Sequence, residues 1–251
     1  MSLFKKLFGK KQTNESTSTS NATEFKVLTK PLAHNFQELL EQNGAFSFEK
    51  QKKFQEITGN YSWNINLNNG LISFGDNHFT FEVIGSLSFT DYSWMWGWAN
   101  DKAGIPPNLL EGAAKLKSIG TQNKIEKLTN GHFSVTEGFE HKMGVVATGL
   151  LDADAYFCAN YGKGTMVVTI NKGQIPKIEK NKLAKVLTTF PQFISSFDVN
   201  HKQAFLSYLI DREFEIKEKD NENTVEGLKN GKIITGLFDE LDRIKNLKGT
   251  L

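Results

Sequence analysis

Asp91-Tyr92-Ser93-Trp94-Met95-Trp96-Gly97-Trp98-Ala99-Asn100 is the stretch from which the rest of the chain is read. Successive side chains of a β-strand point to opposite faces. Read as a strand, the stretch places Tyr92, Trp94, Trp96 and Trp98 on one face and Ser93, Met95, Gly97 and Ala99 on the other. Three of the chain's four tryptophans then share one side of a single strand. So apolar a face must be covered, and the flanking sequence supplies strands and helices to cover it.

Immediately upstream, Tyr61, Trp63, Ile65 and Leu67 alternate with polar residues. Asn68-Asn69-Gly70 reads as a hairpin turn, because Asn and Gly tolerate positive φ. Leu71–Phe74 is the return strand, Gly75-Asp76-Asn77 turns again, and Phe79, Phe81 and Val83 open a longer strand to Phe89. Thr90-Asp91 leads into the tryptophan stretch. The connections are too short for parallel crossovers, so these four strands form an antiparallel meander.

Farther out, helices prevail. Leu32, Phe36, Leu39 and Leu40 mark an apolar helical face, and Asn43-Gly44 is expected to separate that helix from a second piece over 48–57. Leu109, Leu110, Ala113, Ala114 and Leu116 predict a helix ending near Gly120. Another is predicted over 136–153, where Gly144, Ala147 and Gly149 suit close packing. Residues 156–160 and 165–171 form a hairpin around Tyr161-Gly162-Lys163-Gly164, and the polar 173–181 run containing Pro176 marks a minor boundary. Helical stretches at 182–189 and 199–211, short strands at 214–217, 224–228 and 233–238, and a final helix over 239–247 complete the chain. Strand and helix blocks are segregated, which gives an α+β class: an antiparallel β-meander covered by helices, with a smaller C-terminal α+β unit. The predicted domains are 24–172 for the main unit and 173–251 for the C-terminal unit packed on it.

Residues 1–23 differ from both. Leu3, Phe4, Leu7 and Phe8 fall at helical spacing among Lys5, Lys6, Lys10 and Lys11, a basic amphipathic pattern suited to weak contact with an anionic membrane surface. Residues 12–23 are polar and Ser/Thr-rich, the composition of a disordered linker.

Composition narrows the classes. Of 251 residues, 39% are hydrophobic and 20 are Phe, enough for a substantial core, while a net charge of +2 gives no general field for nucleic acid. The single cysteine, Cys158, excludes an intramolecular disulfide and a cysteine-cluster metal site. No apolar run approaches the roughly 20 residues needed to span a bilayer, and the expected location is cytoplasmic, with membrane association only through the N-terminal segment.

The residues Gly85-Ser-Leu-Ser, Ser93-Trp-Met-Trp-Gly-Trp-Ala-Asn100 and Ile105-Pro, preceded by Trp63, Gly70, Ile72 and Phe74, resemble the central motif of a bacterial domain-of-unknown-function family. Phe238-Asp239 with Asp242-Arg243 is similar to an FD…R ending of its longer members. The resemblance spans about residues 61–170 and implies an intracellular bacterial protein. It brings no activity, cofactor or catalytic residue.

No motif in the chain supplies catalysis. The histidines, at 34, 78, 132, 141 and 201, form neither H-x-x-x-H nor H-E-x-x-H. Cys158 reads as a buried, inert thiol, since a Cys–His pair would need a histidine distant in sequence. Asp152, Asp154, Asp239, Glu240 and Asp242 fit helix capping better than acid–base work. Tyr161-Gly-Lys-Gly164 lacks the spacing of a phosphate loop. The tryptophan face has three readings: core, an aromatic-lined ligand pocket of Trp94, Trp96 and Trp98 with Asn100 at its rim, or a stacking platform, for which Lys102 is the lone basic flank. The sequence therefore points to a non-catalytic binding or protein-interaction module, of immunity type among other forms, with a protein partner or small ligand and no cofactor or metal. A hydrolase with scattered catalytic residues and a peripheral membrane protein tethered by residues 1–11 are the alternatives.

Overall fold

The computed structural model describes residues 24–219 and 223–250. The amphipathic Leu3–Phe8 segment and the 12–23 linker lie outside the described residues.

The described residues form an α+β fold with two antiparallel sheets. The first contains β2 (Trp63–Asn66), β3 (Leu71–Phe74), β4 (Asn77–Ser88), β5 (Ser93–Trp96), β6 (His132–Ser134), β7 (Ala155–Asn160) and β8 (Gly164–Ile170). β4 is its spine, paired with β3, β5 and β8, while β7 pairs with β8 and β6 with β5. The second sheet runs β1 (Lys26–Val27), β9 (Glu215–Lys219), β10 (Thr224–Lys229), β11 (Lys232–Phe238) and β12 (Ile244–Gly249). Between and around them pack α1 (Phe36–Thr58), α2 (Glu111–Asn123), α3 (Glu126–Thr129), α4 (Phe139–Leu150), α5 (Ala184–Ser196) and α6 (His201–Asp211). One buried cluster joins Phe36, Leu39 and Leu40 of α1 to Trp94, Trp96, Phe193, Tyr208, Val225 and Phe238, so it touches both sheets.

The four-strand meander runs as its turn residues dictate, but the tryptophan strand is shorter than expected. Tyr92 has φ +49° and belongs to the turn, and the strand ends at Trp96. Residues Gly97–Ala99 form a 3-10 turn, and position 97 must be glycine there, since a Cβ would meet Leu110 at 2.7 Å and the backbone oxygens of Val83 and Ile84 at 3.3 Å. Strict alternation therefore holds only for Trp94 and Trp96. Space for Trp94 comes from Gly85 on the neighbouring strand, where an added Cβ would lie 2.6 Å from the indole. A bulge between Val83 and Gly85 also changes which way β4 faces. Phe79, Phe81 and Val83 enter a second cluster with Phe54, Ile72 and Phe74, whereas Ile84 and Leu87 enter the tryptophan cluster.

Two expectations are corrected. Asn43-Gly44 does not break the first helix: α1 is continuous for 23 residues. A Cβ on Gly44 would lie 2.4 Å from the Phe193 ring, and one on Gly149 of α4 would lie 2.5 Å from the Asn43 Cβ. The two residues are small because helices cross there. The helix expected over 239–247 is instead a turn followed by β12. The Asp239 carboxylate accepts the backbone N–H of Leu241 and of Arg243, Asp242 takes φ +58°, and His201 Nδ1 accepts the Ile244 N–H at 3.1 Å. Burial lowers the His201 pKa, which favours the neutral ring that can accept.

Trp96 is fully buried and its indole N–H donates to the Lys127 carbonyl at 3.0 Å. Trp96→Ala should therefore lower stability by about 3–5 kcal/mol in denaturant unfolding; an unchanged midpoint would show that the indole carries no packing.

Candidate functional site

The tryptophans occupy graded depths. Trp94 and Trp96 are inaccessible to solvent and meet edge to face with ring centroids 5.7 Å apart. Phe139 of α4 packs edge-on against Trp94 at 5.6 Å. Trp98, partly exposed, stacks on Trp96 at 6.1 Å, and Lys117 of α2 sits 3.8 Å above its ring. Asn100 is partly exposed, closing the 3-10 turn through its N–H to the Gly97 carbonyl. The structure thus brings the three rings together but leaves accessible surface only at Trp98 and Asn100.

A different region is a lysine-rich concavity. A cavity of about 610 Å³ opens between α1, the turn after α4 and the 172–180 segment. Phe46, Lys50 and Lys53 reach it from one face of α1, since residues three and four apart in a helix are neighbours. Lys172, Lys177 and Lys180 come from the opposite wall, with Ile175, Pro176 and Ile178 supplying apolar surface. Five lysines face three carboxylates, Asp152, Asp154 and Glu213. The Lys50 and Lys180 ammoniums lie 5.6 and 5.5 Å from the Phe46 ring centroid, within cation–π range.

Each wall is fixed by hydrogen bonds. The Asp154 carboxylate accepts the N–H groups of Gln174 and Ile175 at 2.6 and 2.8 Å. Lys53 donates to the Lys177 carbonyl at 2.9 Å, and Lys180 pairs with Glu213 at 2.7 Å. Asp152 bridges two lysines: one oxygen faces Lys50 at 3.4 Å and the other pairs with Lys172. Burial would raise the Asp152 pKa, but Lys172 and Lys50 outweigh it and hold the carboxyl below its ordinary value. Asp152 in turn raises the Lys172 pKa. Both groups are charged at neutral pH.

The profile of DUF6882, a family of unknown function, matches residues 37–172. The chain belongs to that family. No curated protein and no solved structure matches it. The DUF6882 segment runs from α1 to just past β8 and so contains the whole first sheet. It ends within the cavity wall: Phe46, Lys50, Lys53, Asp152, Asp154 and Lys172 lie inside it, the remaining lining residues beyond it.

The outer wall is tied to the DUF6882 segment by Arg212, at the end of α6. Its guanidinium is completely buried. Nη1 donates to Glu49 of α1 at 2.5 Å, and Nη2 donates to the carbonyls of Glu179, Lys180 and Lys182 at 2.9–3.1 Å. Tyr208 donates its hydroxyl to the same Glu49 oxygen at 2.7 Å. One side chain therefore holds α1, α6 and the lysine-bearing segment together.

A second polar cluster lies on α4 and β7. The histidine expected to be distant in sequence is one helix away: His141 Nδ1 is 3.8 Å from the Cys158 sulfur and 3.1 Å from the Tyr156 hydroxyl. His141 Nε2 is 4.0 Å from Glu140. Proximity does not activate the thiol. Burial pushes the Cys158 pKa far above its ordinary value, and the Glu140 charge adds to this. The reactive species would be the thiolate, so this arrangement disfavours nucleophilic chemistry. Among the described residues no cluster of His, Cys, Asp and Glu could hold a metal ion, and no helix is long and apolar enough to cross a membrane.

None of the cavity lysines was singled out from the sequence, and Asp152 and Asp154, read there as helix caps, instead pair with Lys50 and Lys172 and accept the Gln174 and Ile175 N–H groups, respectively. The available signals were the Lys50, Lys52, Lys53 run and the lysines recurring at 172, 177 and 180, which become neighbours only through the α1–α6 packing.

Glu49→Ala should cost about 3–5 kcal/mol in denaturant unfolding, because it leaves the Arg212 charge buried and unpaired; a loss under 1 kcal/mol would mean that water satisfies the guanidinium. Alkylation of Cys158 in the folded protein by iodoacetamide at pH 8 should be at least about tenfold slower than that of free cysteine. A faster reaction would show that His141 activates the sulfur.

Proposed function

We propose that this protein is a non-catalytic binding module whose ligand is a small anion seated in the cavity between α1 and residues 172–180. The observation that carries the reading is the convergence of Lys50, Lys53, Lys172, Lys177 and Lys180 on one cavity that also has an aromatic floor at Phe46. Its volume of about 610 Å³ suits a small molecule rather than a single ion. Lysine is a point charge without the forked geometry of arginine, so the site favours phosphate or carboxylate groups by charge more than by shape. The apolar lining from Ile175, Pro176 and Ile178 favours a ligand with a carbon skeleton over a bare ion.

The reading retains the binding role expected from sequence and moves its site from the tryptophans to the lysines. The raised Cys158 pKa weighs against the hydrolase alternative. A bacterial cytoplasm, where phosphorylated and carboxylated metabolites abound, is the setting in which we place the module.

Calorimetric titration with pyrophosphate and with citrate at low ionic strength provides the test. Binding of at least one is expected at submillimolar concentration, weakening as salt screens the lysines. The double substitution Lys53→Ala and Lys177→Ala should weaken it about tenfold, the effect of losing roughly 1.4 kcal/mol, while the loss of the Lys53 hydrogen bond to the Lys177 carbonyl lowers the melting temperature by no more than about 4 °C. Absence of binding by both anions would refute the reading.

A further inference from the structure

We infer that Asp152 is a built-in competitor for the anionic ligand, occupying the position between Lys50 and Lys172 that a phosphate or carboxylate of the ligand takes when it binds. This rests on the anion-binding reading above and adds how the cavity selects among anions.

Three observations carry the inference. First, the Asp152 carboxylate is shared, with Oδ1 toward Lys50 and Oδ2 toward Lys172, which is how a bound anion would bridge the same two ammoniums. Second, the backbone presents the carboxylate there. Asp152 follows the end of α4 with φ +50°, its N–H donating to the Gly149 carbonyl and the next N–H, of Ala153, to the Thr148 carbonyl. A positive φ is uncommon for a residue with a side chain, and aspartate and asparagine are among those that adopt it most readily. Third, the two lysines differ in what else holds them. Lys50 has an 86% buried side chain and donates to the Ala153 carbonyl at 2.8 Å, so it stays in place if Asp152 swings away. The Asp152 side chain is 63% exposed, so open space lies on its outer side.

The chemistry follows. The carboxylate offsets the repulsion between two clustered ammoniums. A ligand must displace it, and only an anion that satisfies both lysines better than a lone carboxylate does so. Dianionic phosphate groups and polycarboxylates meet that condition, whereas a monocarboxylate merely exchanges like for like. The site therefore discriminates by ligand charge.

Pyrophosphate and citrate titrated into the wild-type protein, Asp152→Asn and Glu240→Gln test the inference. Asparagine keeps the side-chain volume and tolerates the same φ, and Glu240 is a carboxylate that does not line the cavity. Asp152→Asn should bind whichever anion the wild type binds about five- to tenfold more tightly, a gain of roughly 1 kcal/mol expected for removing one exposed competing charge. Glu240→Gln should match the wild type. Asp152→Gly, the other substitution at ease at positive φ, should reproduce the gain and guards against a fold defect in the first variant. Wild-type binding with no gain, or a loss, in both Asp152 variants overturns the competitor role and leaves the anion site standing. An equal gain in Glu240→Gln overturns it as well, since the effect would then be one of overall charge. No binding by any of the four proteins refutes the site itself.

Discussion

A buried guanidinium sets the constraint on which this structure depends. Transferring Arg212 out of water costs several kcal/mol unless its donors are satisfied. Here Glu49 takes one donor nitrogen and three carbonyls of the 179–182 segment share another. The acceptors come from α1 and from the 179–182 segment, so satisfying the guanidinium requires both to meet the end of α6. The tie thus contributes a unique geometry more than net stability: it fixes the lysine-bearing wall opposite the lysines of α1. Its solution is incomplete, for Nε has no acceptor.

The same geometry depends on close helix contact. α1 runs unbroken past Asn43-Gly44, where Phe193 packs directly over Gly44 and α4 presents Gly149 to Asn43. A broken helix would carry Phe46, Lys50 and Lys53 on a separate axis. In the intact helix these side chains fall on one face, directed at the turn after α4 and at residues 172–180. The packing that makes the core continuous across both sheets also assembles the cavity.

Part of the charge within the cavity is paired, while Lys53 and Lys177 face no carboxylate partner among the lining residues. Lys180 is matched by Glu213 and Lys172 by Asp152. Such pairing is what a cluster of ammoniums needs in order to exist in a stable empty protein, because like charges a few ångströms apart repel. An exposed partner such as Asp152 contributes little to folding stability, so its main effect falls on ligand affinity.

Local pattern determined much of this protein. Alternation and Asn/Gly turns yielded the meander from Trp63 to Trp96, and helical spacing located α2, α4, α5 and α6, because neighbours in sequence settle these features. Tertiary structure decided the rest. The tryptophan strand stops at Trp96, where Gly97 passes close beneath Leu110, and β4 changes its facing at a bulge that no periodicity announces. Ile244 and Leu247 carry a helix-like spacing, yet Asp239 and His201 claim the backbone N–H groups that begin that segment, and it pairs with β11. The lysine cavity was hidden for the same reason: its walls lie more than 100 residues apart in sequence, and only Arg212 and the α1 crossings bring them face to face.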